Sequence, residues 1–326
     1  MNGPVKAGGR VLVGTCSWTE PTLVRQAAWY PRRSMTAADR LAFYAGRFGV
    51  VEADSTYYFP PTADMAANWV AATPEGFRIN VKAYSLLTGH PTFPHSLWPD
   101  MAGAIPPERR DKRRLYASHL PPEALEEAWE RFLHALGPLH EAGRLGAVLL
   151  QFPRWFGPKE ANREELRRVA DRIGAYRGCV ELRCGRWLEG DECEATLELL
   201  EEVGLAYVCV DEPQGFPAAV PPVVAATADL AVVRLHGRAA APGHRPSPTA
   251  VARLRYLYRL DELREWATAV RELATSASEV HVLFNNCHRD FAVVNAGQMA
   301  ALLEGREPSP GPGPPPPAYA QLRLAI

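Results

Sequence analysis

Carboxylates, amines, imidazoles and carboxamides recur in this chain at one kind of place, the end of a short apolar run. In chain order they are Glu52 with Asp54, Lys82, Gln151, Glu181 with Arg183, Asp211 with Glu212, Arg234 with His236, and Asn285 with Asn286. Ser17 and Trp18 close the first run, and Ser55, Thr56 and Tyr57 follow the second. One polar residue in such a place is ordinary, because a run must end and the side chain can hydrogen-bond the start of a loop. Polar endings on all the runs mean more if the ends converge. Ionisable groups brought into one partly desolvated space must pair with one another or meet a ligand. Neighbouring carboxylates and cations also shift each other's pKa toward values useful for proton transfer.

The runs themselves say what would bring these ends together. They span residues 11–14, 50–54, 77–82, 147–152, 179–182, 206–210, 231–235 and 280–284. Their apolar character is continuous rather than alternating, as expected of parallel strands buried on both faces. Between them, residues 37–48, 63–72, 122–140, 159–173, 192–203, 261–274 and 291–303 carry the 3.6-residue helical period. The first of these puts Leu41, Tyr44, Ala45 and Phe48 on one face, and Pro122 suits a first turn. The Pro-rich interval 212–228 is expected to be irregular. Eight strands alternating with helices predict an α/β fold, a single (β/α)8 TIM-type barrel over residues 1–306 with a long loop after strand three. A doubly wound sheet normally opens with a Gly-rich turn, which Gly14-Thr15-Cys16-Ser17 lacks.

Composition narrows the class. The net charge of −1 argues against a bulk nucleic-acid coat protein and leaves room for a local basic patch. No apolar stretch reaches the ~18 residues of a membrane helix, and residues 1–10 lack the apolar core of a signal peptide, so a cytoplasmic protein with no membrane contact is expected. Six cysteines without a CxxC pair form neither a disulfide framework nor a zinc-finger pattern. Prolines 308, 310, 312 and 314–317 predict that residues 307–326 are an extended linker and C-terminal tail.

The run Val51-Glu52-Ala53-Asp54-Ser55-Thr56-Tyr57-Tyr58 resembles the signature VExNSTFY of the YecE-like family, also called domain of unknown function 72. The likeness continues through Thr73-Pro74-Glu75-Gly76-Phe77, Val81-Lys82-Ala83, Leu150-Gln151-Phe152-Pro153, Val180-Glu181-Leu182-Arg183, Arg234-Leu235-His236-Gly237 and Phe284-Asn285-Asn286. The resemblance implies a TIM-type barrel and supplies no reaction. Asp54 stands where the family usually has Asn, Cys184 where it often has His, and Cys16-Ser17 where it commonly has Ser-Gly.

Several chemistries fit these residues. In the first, Lys82 and Arg183 hold a small anionic or phosphate-bearing ligand, the guanidinium by a two-pronged contact. Glu52 or Glu181 is then the general base, His236 the acid or its partner, and Asn285 a donor to a developing oxyanion, with Ser55, Thr56, Tyr57, Gln151 and Asn286 binding substrate. The two glutamates could instead form a glycosidase pair, and Lys82 could form a Schiff base. In the second, Glu52, Glu181, Asp211 and His236 hold a divalent metal in an isomerase- or nuclease-like barrel, although Lys82 and Arg183 would stand beside the ion. No cofactor is required by the sequence. Cys16, Cys184 and Cys287 could supply thiolates to a soft metal, or simply fill tight turns. The basic run Arg109-Arg110-Asp111-Lys112-Arg113-Arg114 in the long loop could act as a lid over an anion or touch a phosphate backbone, though no nucleic-acid fold motif accompanies it. Gln321-Leu322-Arg323-Leu324-Ala325-Ile326 is similar to the peptide that binds bacterial sliding clamps, without its aromatic residue, which would make the protein a recruited accessory factor.

Overall fold

Eight parallel strands follow one another around a closed barrel in sequence order: β1 (Arg10–Cys16), β2 (Val50–Ala53), β3 (Arg78–Lys82), β4 (Leu145–Phe152), β5 (Gly178–Leu182), β6 (Ala206–Asp211), β7 (Leu230–Leu235) and β8 (Glu279–Phe284). β8 pairs back onto β1, Arg10 to Glu279 through Thr15 to Phe284. The computed structural model describes residues 8–215, 219–238 and 255–309. The fold is thus the predicted TIM-type (β/α)8 barrel. Most of the predicted tail, including the clamp-like peptide at 321–326, lies outside the described residues. No helix among the described residues is long and apolar enough to cross a membrane.

The strands are legible because nearly every residue in them is buried, some against the barrel axis and some against the helices outside. Closure demands close backbone approach at Gly14, where a Cβ would sit 1.8 Å from the Val50 carbonyl oxygen. The outer layer comprises α1 (Pro21–Gln26), α2 (Ala37–Ala45), α3 (Ala63–Ala71), α4 (Pro122–Ala135), α5 (Gly137–Glu141), α6 (Glu160–Ile173), α7 (Asp191–Glu202), α8 (Leu260–Ser276) and α9 (Phe291–Leu303). The short α1, not among the expected helices, is nucleated by Glu20, whose carboxylate accepts from the Thr22 and Leu23 amides. The single helix expected over 122–140 is two helices. Pro138 has no N–H to donate and its ring crowds the carbonyl four residues back, so the chain breaks at Leu136-Gly137.

The long stretch between β3 and α4 is ordered by its own apolar residues. Leu86, Leu97, Met101, Ile105 and Leu115 are buried beneath it. An antiparallel bridge, Thr92 to Leu115, ties its two limbs together. It therefore forms a built wall on one side of the mouth.

Candidate active site at the barrel mouth

Arg234 interrupts the apolar run of β7, and with 1% of its surface exposed it must find carboxylates. It finds two from other strands of the barrel. Nε and Nη2 donate to Glu52 of β2 at 2.9 and 2.7 Å, and Nη1 donates to Glu181 of β5. Oε1 of Glu181 also accepts from Gln151 Nε2 at 2.7 Å and Arg183 Nη1 at 2.9 Å, and lies 3.2 Å from His236 Nε2. A carboxylate can only accept, so Nε2 carries the imidazole proton, and Nδ1 accepts from Asn285 Nδ2 at 2.8 Å. Burial alone would raise the pKa of Glu181, but Arg234, His236 and Arg183 reverse this and hold it well below the usual range. Burial pushes His236 down to about 3, so the ring is neutral.

This geometry corrects several roles expected from sequence. Glu181 is saturated with donors and both oxygens of Glu52 face Arg234, so neither is poised as a general base. His236 is neutral with both nitrogens engaged, the arrangement of a partner to Glu181 rather than of an acid, the second of the two roles expected for it. Arg183 spans Glu181 and Glu212, the latter at 2.5 Å, and has a partner on each terminal nitrogen; it braces the network instead of waiting for an anion. The four-residue metal set is not assembled. The Asp211 carboxylate accepts from Arg238 at 2.8 Å and from Trp266 Nε1 at 2.8 Å. Among the described residues no group of three His, Cys, Asp or Glu is arranged to hold an ion. Cys16 and Cys287 are buried thiols, the second donating to the Cys16 carbonyl at 3.1 Å, and burial pushes both pKa values up, away from thiolate. Cys184 stands apart on β5's loop, packed near Gly157.

Of the residues expected to bind substrate, Ser55 is exposed at the start of the 3-10 turn that follows β2. Thr56 is structural: its hydroxyl contacts the Ala53 and Lys82 carbonyls at 2.8 and 2.6 Å, locking β2 to β3. Asn286 turns away from its neighbour Asn285, donating to the Tyr256 carbonyl and to Asn295 behind the barrel wall.

What remains at the mouth is Lys82, Asp54 and Tyr57. Lys82 Nζ lies 4.5 Å from the centre of the Tyr57 ring, a cation–π contact, and among the described residues it has neither a hydrogen bond nor an ion pair. Burial and the charge of Arg234 lower its pKa, with Glu52, Glu181 and Asp54 pulling the other way. Asp54 is pushed up to about 6 by burial and Glu52, against Lys82 and Arg234. Burial raises the Tyr57 hydroxyl to about 12. Just past the end of β1, Ser17 holds φ at 102°, a conformation costing a non-glycine residue of order 1–3 kcal/mol. It is kept there by its amide on the Glu52 carbonyl, 3.0 Å, and by the Thr15 hydroxyl on its own carbonyl, 3.0 Å. Neither Arg234 nor Asp54 is among the catalytic or substrate-binding residues expected from sequence. The signal for Arg234 was available, a charge inside Val232-Val233-Arg234-Leu235 that only buried carboxylates can balance.

Comparisons with known proteins agree with this architecture. The UPF0759 protein YunF of Bacillus subtilis is 30% identical over 298 residues, covering 90% of this chain and 95% of that protein. A DUF72 family protein of Enterococcus faecalis V583 superposes with a TM-score of 0.72 at 29% identity, covering 90% of this chain and 95% of that one. Another from Thermotoga maritima MSB8 gives 0.69 at 28% identity, covering 90% and 99%. The profile of the family described as protein of unknown function DUF72 matches residues 12–319, and the chain belongs to that family.

Proposed function

We propose that the protein is an enzyme that takes a small anionic or phosphate-bearing substrate at the barrel mouth and transforms it by general acid–base chemistry. Lys82 receives the anion and Asp54 moves the proton. The observation that carries this reading is a division within the site: Arg183 and Arg234 are already paired, and Lys82 is not. The composition points the same way. Only Lys6, Lys82, Lys112 and Lys159 are lysine among 36 basic residues, so a compact amine at position 82 stands out in a chain that otherwise uses arginine. A carboxyl with a pKa of about 6 is matched to proton transfer near neutrality. Asn285 keeps a second amide hydrogen for a developing oxyanion, and the Glu52–Arg234–Glu181 frame supplies fixed charge around it.

Calorimetric titration with inorganic phosphate tests the anion role. Lys82→Met should weaken binding roughly 10- to 100-fold, the worth of a charged hydrogen bond in a desolvated site; unchanged affinity contradicts it. The lowered pKa of Lys82 also favours a second reading, in which the neutral amine condenses with a substrate carbonyl, forming an imine and releasing water while Asp54 carries the protons. Borohydride reduction in the presence of a carbonyl compound such as pyruvate should then leave a stable adduct on Lys82; no adduct eliminates this reading for that compound.

A further inference from the structure

Six large hydrophobic side chains are exposed among the described residues, and five of them, Tyr58, Phe59, Phe93, Tyr116 and Trp155, stand on the chain that follows β2, β3 and β4. Tyr58, Phe59 and Trp155 are each more than half exposed, at 58%, 55% and 62%. Clustered exposure of this kind marks a binding surface. The rings connect back to the site. Tyr57, which touches Lys82, lies 5.1 Å from Tyr58 and 5.2 Å from His90, and His90 lies 6.1 Å from Trp155. Further out, His95 sits between Phe59 at 6.0 Å and Phe93 at 5.0 Å. Burial pushes His90 down to about 4, so it contributes a neutral flat ring.

The flank of this aromatic wall is cationic. The Thr92–Leu115 bridge sets the Arg114 guanidinium 3.1 Å from the centre of the Phe93 ring. Arg110, Asp111, Lys112, Arg113 and Arg114 are all exposed, four cations against one carboxylate. Platforms that bind sugars pair aromatic faces with carboxylates and amides. Aromatic faces beside guanidinium groups instead match bases and phosphates.

We infer that the rim is a stacking platform for single-stranded nucleic acid, with bases on Tyr58, Phe59 and Trp155 and phosphates along Arg113 and Arg114, so that the anion presented to Lys82 is a nucleotide phosphate. This rests on the proposed anion site and names its substrate class. The test is fluorescence anisotropy with a labelled oligothymidylate of about ten nucleotides, at about 50 and about 200 mM salt, alongside phosphate calorimetry on the same full-length proteins. The oligonucleotide should bind, more weakly at higher salt. Tyr58→Ala and Trp155→Ala should each weaken it roughly tenfold, and Arg113→Ala should lower the salt slope by about one. Phosphate affinity should be untouched in all three variants, which also reports that the mouth is intact. An absent oligonucleotide complex, one indifferent to Tyr58 and Trp155, or displacement by an uncharged oligosaccharide would overturn the inference. If phosphate still binds through Lys82 in those cases, the anion site stands. If wild-type protein binds neither, both readings fall.

Discussion

At the amino end of the barrel, Glu279 accepts from Arg177 at 2.8 Å and Arg78 at 3.3 Å, with Arg10 at 3.9 Å and His281 Nε2 at 2.9 Å. At the carboxyl end, Glu181 is held by Arg234, Arg183, Gln151 and His236. Both ends place a carboxylate among guanidinium groups and a buried histidine. The difference lies in the count and in the water. The base gives one carboxylate three arginines, all reaching solvent, so their surplus charge is hydrated. The mouth gives Glu52, Glu181 and Glu212 two buried arginines, and leaves Lys82 and Asp54 over. Buried ion pairs inside a barrel are therefore no sign of chemistry in themselves. Lys82 and Asp54, left out of those ion pairs, are what the proposed reading rests on.

The comparison breaks most sharply at the arginines. Arg234→Met leaves Glu52 buried without a cation and Glu181 with Arg183 alone, and should cost about 3–5 kcal/mol in urea denaturation. Arg177→Met at the half-exposed base should cost less than about 1 kcal/mol; equal losses would erase the distinction. Lys82→Met should move stability the other way. Because its pKa falls on folding, the unfolded chain binds more protons between the folded value and the ordinary 10.5, and stability rises with pH across that window. At neutral pH the charged amine thus opposes folding, and Lys82→Met should gain about 1 kcal/mol while losing phosphate.

Acid stability separates the ends further. Burial would raise the pKa of Glu279, but His281 and Arg177 hold it well below its ordinary 4.5. Its contribution is complete above 4.5 and is lost as pH falls toward the folded value, so Glu279→Gln should flatten the acid limb of a pH–stability curve. The smallest effect belongs to Asp54. Its raised pKa means that the ionised form disfavours folding as pH rises from 3.8 through about 6, so Asp54→Asn should leave stability at pH 7 unchanged or slightly higher. Binding of sulfate, which does not titrate in this range, should weaken above pH 6 in the wild type as Asp54 charges, and that step should be absent from Asp54→Asn.

All eight strands lie within three residues of their sequence-based limits, because parallel strands buried on both faces leave continuous apolar runs. The convergence of Glu52, Lys82, Gln151, Glu181, Arg183, His236 and Asn285 was legible for the same reason: strand ends in a closed barrel share one mouth. Their roles were not legible, since which carboxylate takes which guanidinium depends on side chains from opposite strands, and sequence spacing does not carry that distance. Asn286 shows the local limit, as adjacent residues at a strand end face opposite ways and only one of the pair can enter the mouth. Asp54 could be named from sequence, but its raised pKa comes from burial and from Glu52 in the folded barrel.

With four lysines in the chain, protein grown on isotopically labelled lysine gives a side-chain NMR spectrum simple enough to follow Lys82 directly, assigned by its loss in Lys82→Met. Its titration midpoint should lie below the ordinary 10.5 and rise when inorganic phosphate is added. A Lys82 amine that titrates at the ordinary value and ignores phosphate would contradict the unpaired, desolvated cation on which the functional reading rests.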